Sequence, residues 1–470
     1  MGITRRQFLG RSGAAAGGFL GASLFGSPFA ARALAESLGD RYLVVLFLDG
    51  GNDGLNTIIP AENGSIGSFR THYEAARVSG GGGLRVAANQ LLTPSTVSMI
   101  DPGTGGQLGF HPGLQGLRNL YEQGHVAVVQ NCGYPNANLS HEESRRIWEY
   151  ADPRRTGVTS GWIGRHLAAN FGPAEIPGVA VRGSVPGEFA QTATSILTIS
   201  SVSSARFPFD SSYGSDSPFR RNALMALAEA ALASGQPTLG QVGAAGRSTL
   251  LASQSYPPLD DLYEDERPSF DAMYDGLGTS TAHDLREIAK VIYGVESGVE
   301  NIEARYFELQ SGGYDTHSDQ GLPQPGNRHY DLHRQIGDAI ETFYADCTDM
   351  GVADKVCLVV WSEFSRRILQ NDSGTDHGTQ GPMFVVGAVN GGVYGNHPDI
   401  DGDALDDGNT RYSQETGNPH RSTDIRDVYG TILKHWVNVP HQTILSSILP
   451  RDAGDPADFW TQENFDIGFL

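Results

Sequence analysis

The feature that most constrains this chain is a run of consecutive apolar residues, Tyr42-Leu43-Val44-Val45-Leu46-Phe47-Leu48, that stops abruptly at Asp49-Gly50-Gly51-Asn52-Asp53-Gly54. A short run with no polar alternation fits a strand covered on both faces, as in a parallel or mixed sheet sandwiched between helices. Further runs repeat the pattern at His125–Gln130, Arg305–Gln310, Val356–Trp361 and Met383–Gly387. Helical spacing marks about 113–123, a long segment after Gly313 with Leu332, Ile336, Ile340 and Phe343 on one face, and about 424–436. Strands alternating with helices predict an α/β fold with a central, mostly parallel sheet flanked by helices. The stretch at about 155–300 reads differently. It has Ser/Thr-rich, Pro-rich and acidic pieces with helices at about 216–234 and 281–296, and is expected to be an insertion or cap.

The N-terminus carries Thr4-Arg5-Arg6-Gln7-Phe8-Leu9, a Gly/Ala-rich apolar stretch and then Ala33-Leu34-Ala35. This resembles a twin-arginine export signal over residues 1–35, leaving one domain over 36–470. The expected location is periplasmic, extracellular or cell-surface, with transient contact to the export machinery and no stable membrane span after signal removal. Asp and Glu outnumber Lys and Arg by 54 to 33, giving a net charge of −21, which argues against nucleic acid or an anionic membrane as a partner. No Gly-Lys dipeptide is present, so a P-loop is excluded. The three cysteines form no C-x-x-C pair, and the apolar flanks of Cys132 and Cys357 suggest buried thiols.

The chemistry gathers where the strands end. Asp49 closes the first run, Ser140-His141 follows the second, and Asp315-Thr316-His317 follows the third. Glu363 follows the fourth, and Asp376-His377 precedes the fifth. Ligands of open α/β sheets bind beyond the carboxyl ends of strands, so these residues are expected at one edge.

Four blocks are similar to motifs of the DUF1501 family, in family order: Leu48-Asp49-Gly50-Gly51-Asn52-Asp53-Gly54-Leu55-Asn56-Thr57, Gly313-Tyr314-Asp315-Thr316-His317, Ser362-Glu363-Phe364-Ser365-Arg366 and Gly374-Thr375-Asp376-His377-Gly378. The family is of unknown function and is grouped with the alkaline phosphatase/sulfatase superfamily. The resemblance therefore implies an alkaline phosphatase-like fold and a metal-dependent hydrolytic heritage acting on small-molecule or polymeric esters. Carried over residue by residue, it implies Asp49, Asp315, His317, Glu363, Asp376 and His377 as metal ligands. Ser140 is the implied nucleophile, at the start of a capping-box pattern with Glu143. His141 would orient it or protonate a leaving group. Arg145 is the third implied catalytic residue, with charge-assisted bonds to the equatorial oxygens, and Asn52 and Arg366 would bind substrate.

The chain departs from the superfamily where an Asp-His pair is usual and Glu363-Phe364 stands instead. A second site built from Asp49, Glu363 and Ser140 would favour Mg²⁺, Ca²⁺ or Mn²⁺ over Zn²⁺, with one or two ions in all. The same departure fits a non-catalytic envelope protein that keeps the fold with one ion or none. No G-x-S-x-G is present, which disfavours the other α/β serine hydrolases.

Overall fold

The computed structural model describes residues 39–64, 69–78, 83–153, 155, 157–191, 194–207, 216–398, 400, 412–413, 418–419, 422–449 and 465–470. The expected export signal lies outside these residues. Among the described residues, strands β1 (Tyr42–Asp49), β2 (Val126–Gly133), β3 (Gly178–Val181), β4 (Ile196–Ile199), β5 (Tyr306–Gly312), β6 (Val356–Ser362), β7 (Gly381–Gly387), β8 (Gly392–Tyr394) and β9 (Thr423–Asp424) form a nine-stranded sheet. Its order is β8-β2-β7-β6-β1-β5-β3-β4, with β9 beside β2. Only β7 runs antiparallel, to both β2 and β6; every other pair is parallel. The fold is thus mixed α/β with a mostly parallel central sheet flanked by helices.

The apolar run explains the position of β1. Side chains alternate across a strand, so Tyr42, Val44, Leu46 and Leu48 enter one core while Leu43, Val45 and Phe47 enter the other. All seven are buried. Truncating one of them, such as Leu46→Ala, would cost about 2–5 kcal/mol in lost contacts and cavity. All three cysteines are buried, and none of them forms a disulfide.

The expected helices appear as α1 (Gln115–Glu122), α2 (His141–Tyr150), α3 (Ser217–Leu232), α4 (Ser280–Glu296), α5 (Arg328–Asp349) and α6 (Ile425–Thr431). The last is continued by a π-helical turn, Ile432–Trp436. The 155–300 stretch is more closely built into the fold than its composition suggests. It supplies β3 and β4, at one edge of the same sheet. Its Pro-rich pieces are helix starts: Pro237–Ser255, Pro258–Glu266 and Pro268–Leu277 each open on proline, where the missing N–H costs nothing. No helix of the described residues is long and apolar enough to cross a membrane.

Candidate metal centre

Register brings the strand-end residues together. In β1, Asp49 pairs with Gly312 of β5 and Leu48 with Ser362 of β6. The loops after β5 and β6 therefore leave the sheet beside Asp49. The turn after β1 needs glycine at two positions. Gly50 and Gly51 have φ of +121° and +76°, a region that disfavours side chains. A Cβ on Gly50 would overlap the Asp315 backbone nitrogen, and one on Gly51 the Phe364 ring.

Arg366 ties these loops. It is buried, and its guanidinium donates to Gly51 O (2.7 Å), Thr375 O (3.0 Å), Tyr314 O (3.2 Å), Gly50 O and Asp315 Oδ1 (2.8 Å). Its donors are spent on protein acceptors, so it orders the ligand loops where a substrate contact was expected.

Ligand atoms of His141, Asp315 and His377 lie within 4.8 Å of one another and could hold a metal ion. His141 Nε2 is 3.7 Å from Asp315 Oδ2, and His377 Nε2 is 3.5 Å from Asp315 Oδ1. His317 joins them, its Nε2 3.5 Å from Asp315 Oδ1 and 2.9 Å from His377 Nε2. The other ring nitrogens all face protein acceptors. His141 Nδ1 lies 2.7 Å from Glu363 Oε1, His377 Nδ1 2.7 Å from Leu139 O, and His317 Nδ1 3.3 Å from Asp376 Oδ1. A histidine whose Nδ1–H is held by a carboxylate or carbonyl presents an unprotonated Nε2, the usual arrangement of a metal ligand. Such a nitrogen-rich set suits Zn²⁺ and its transition-metal neighbours better than Mg²⁺ or Ca²⁺.

The electrostatics follow the same geometry. The hydrogen bond to Glu363 raises the His141 pKa above its ordinary value, whereas burial lowers that of His377. Burial works against the Asp315 carboxylate, but Arg366, His141 and His317 hold its pKa below the usual value. Burial and then the nearby Glu363 charge raise that of Asp49.

Glu363 itself is fully buried. Its Oε1 also accepts from Gly50 N (2.9 Å), and its Oε2 from the Ser362 hydroxyl (3.0 Å). It stands behind His141 as an orienting group, outside the cluster of His141, Asp315 and His377. Asp376 stands in the same relation to His317. Asp49 is half-buried and its Oδ2 accepts from Gln310 Nε2 (2.8 Å), outside the three-residue cluster. Asn52 is buried and turned inward: its Nδ2 donates to the Thr57 hydroxyl (2.9 Å), and its Oδ1 accepts from His329 Nε2 (3.2 Å). Arg145 lies 4.5 Å over the Phe47 ring and donates to Glu149 (2.7 Å) and Gln310 (3.2 Å).

Ser140 takes the N-cap position of α2 but makes no side-chain cap bond. It is exposed. Glu142 and Glu143 occupy the first turn, where their charge favours the helix dipole. Gln310, which bridges Arg145 and Asp49, and the Leu139 carbonyl gave no signal in the sequence. Both act through contacts between segments distant in the chain.

Residues 296–443 match the model of a family described as "Protein of unknown function (DUF1501)". No curated protein matches the chain. The matched stretch holds Asp315, His317, Glu363, Arg366, Asp376 and His377, while Asp49, Ser140 and His141 precede it. Over the segment that carries most of the candidate metal centre, the chain is thus similar to the DUF1501 family.

Proposed function

We propose that this chain is an exported, metal-dependent hydrolase of phosphate or sulfate esters, related to the alkaline phosphatase/sulfatase superfamily. One observation carries the reading: the Nε2 atoms of His141, His317 and His377 gather around Asp315, each ring held from behind at Nδ1. Those four residues would hold the ion. A bound divalent ion would supply Lewis-acid polarisation of a substrate oxygen. Ser140 is the nucleophile in this reading. Its Oγ forms a bond to phosphorus or sulfur as the ester oxygen departs with a proton, and water then cleaves the seryl ester. The exposed N-terminus of α2, with unpaired backbone N–H groups, favours the anionic group under attack.

The second reading, a non-catalytic envelope or binding protein that keeps the fold with one ion or none, is supported by the cations. Arg145 and Arg366 are both engaged within the protein, and Glu363 is committed to His141. Neither arginine is then free to neutralise a phosphoryl or sulfuryl group.

The test is metal content by mass spectrometry on the full chain, beside His377→Ala and Asp315→Asn. The expected result is about one ion per chain, lost in both variants, with hydrolysis of an aryl phosphate or aryl sulfate that Ser140→Ala abolishes. Metal without turnover would favour the second reading. No metal after exposure to Zn²⁺, Mn²⁺, Mg²⁺ and Ca²⁺ would overturn the hydrolase reading and leave a non-catalytic protein that keeps the fold.

A further inference from the structure

Behind the ligand loops lies a buried amide. Gln320 is fully buried, as are Thr316, Thr375, Asp53 and Arg77 around it. Its Oε1 accepts from the hydroxyls of Thr316 (3.1 Å) and Thr375 (2.9 Å), and its Nε2 donates to Asp53 Oδ2 (2.7 Å). The orientation follows from chemistry: a carboxylate only accepts, so the amide nitrogen must face Asp53. Arg77 Nη2 donates to the other Asp53 oxygen at 2.7 Å.

The two threonines are where leverage on the metal centre is greatest. Thr316 stands between Asp315 and His317, and Thr375 directly precedes Asp376 and His377. In an extended segment alternate side chains face opposite ways, so Thr316 faces inward while its two neighbours reach the centre. The loops also share backbone bonds, Thr375 N to Thr316 O (3.0 Å) and Gln320 N to Ser373 O (3.1 Å). A single acceptor oxygen thus holds both ligand loops from behind, with Asp53 and Arg77 fixing the amide in turn.

We propose that Gln320 is a positioning residue that sets the separation of the two ligand loops, and with it the coordination geometry at Asp315, His317 and His377. The inference rests on the metal-centre reading above. It also assigns Asp53, within the Gly-Gly-Asn-Asp-Gly turn, a part in anchoring that amide.

The probe is Co²⁺, whose visible absorption reports coordination geometry, titrated into the full-length protein. Gln320→Met keeps volume and removes all three hydrogen bonds. It is expected to weaken Co²⁺ binding about 10- to 100-fold, the usual effect of losing an outer-shell partner, and to change the absorption bands. Thr375→Val, which removes one bond and leaves the fold's volume intact, should shift the bands in the same direction to a smaller extent, and Thr375→Ser should restore them. If Gln320→Met does not fold, the Thr375 pair decides. Wild-type protein that binds Co²⁺, with both variants matching its spectrum and affinity, overturns this inference alone. Wild-type protein that takes up no Co²⁺ overturns the metal reading and this inference with it.

Discussion

His141 Nδ1 and Glu363 Oε1 lie 2.7 Å apart, joining the start of helix α2 to the end of strand β6 across 222 residues of sequence. The contact fixes which imidazole nitrogen faces Asp315 and gives a buried carboxylate a hydrogen-bond donor. Glu363→Gln keeps the shape and removes the charge. It should lower metal affinity about 10- to 100-fold, read by competition with a chelating indicator. Unchanged affinity would mean that Glu363 does not orient the ligand.

Ser140 separates capping from chemistry. A serine whose side chain caps a helix loses about 1 kcal/mol on truncation. Here the side chain makes no cap bond, so Ser140→Ala should change unfolding free energy by less than about 0.5 kcal/mol, as expected of a surface substitution. Urea denaturation measures this. A loss near the full capping value would show that the hydroxyl caps the helix in solution.

Asp53 and Arg77 form an ion pair at 2.7 Å with neither side chain exposed. Removing one partner leaves an uncompensated buried charge. Asp53→Ala should therefore destabilise the chain by about 3–5 kcal/mol, detected as a lower urea midpoint in metal-free protein. A shift below about 1 kcal/mol, the range of an exposed pair, would contradict the burial.

Stability should fall on both sides of neutrality, for different groups. Burial, with help from Glu149 and Asp284 and against the pull of Arg145, pushes the Glu308 carboxyl up to about 8. The folded chain then keeps a proton that the unfolded chain releases near the ordinary carboxyl value, so this contribution is complete below that value and is lost as pH rises to about 8. Burial drives His166 down to about 4 and His333 to about 3. Their contribution is complete above the ordinary histidine value and is lost as pH falls toward those numbers. Thermal melts from pH 4 to 9 should be bell-shaped. Glu308→Gln should flatten the alkaline side and steepen the acidic side, because the Glu308 window, from the ordinary carboxyl value to about 8, overlaps the window of the two histidines. An alkaline limb identical to wild type would refute the assignment.

Much of the fold was legible locally. The runs at 42–48, 125–130, 305–310, 356–361 and 383–387 became β1, β2, β5, β6 and β7 to within a few residues, because a strand buried on both faces has no room for polar side chains. The direction of β7 was not legible, since an apolar run has the same composition either way. Strands β3 and β4 were hidden because Ile196–Ile199 is only partly covered and the surrounding Ser, Thr and Pro read as loop. The helices of 237–277 were hidden because proline at a helix start and proline in a loop look alike in sequence.

The sequence alone determined which side chains could bind a metal and that they stand at strand ends, since that follows from where each apolar run stops. Only the tertiary structure decided their roles. Glu363 and Asp376 carry the same carboxylate as Asp315, yet they lie behind histidines while Asp315 faces three Nε2 atoms. Arg366 has the charge to hold an oxyanion, yet four backbone carbonyls and Asp315 claim its donors. The physical reason is that a ligand set is fixed by which strands become neighbours and how their loops are tied. Those ties, Glu363 to His141 and Gln320 to Thr316, Thr375 and Asp53, form between segments that have no local signal for one another.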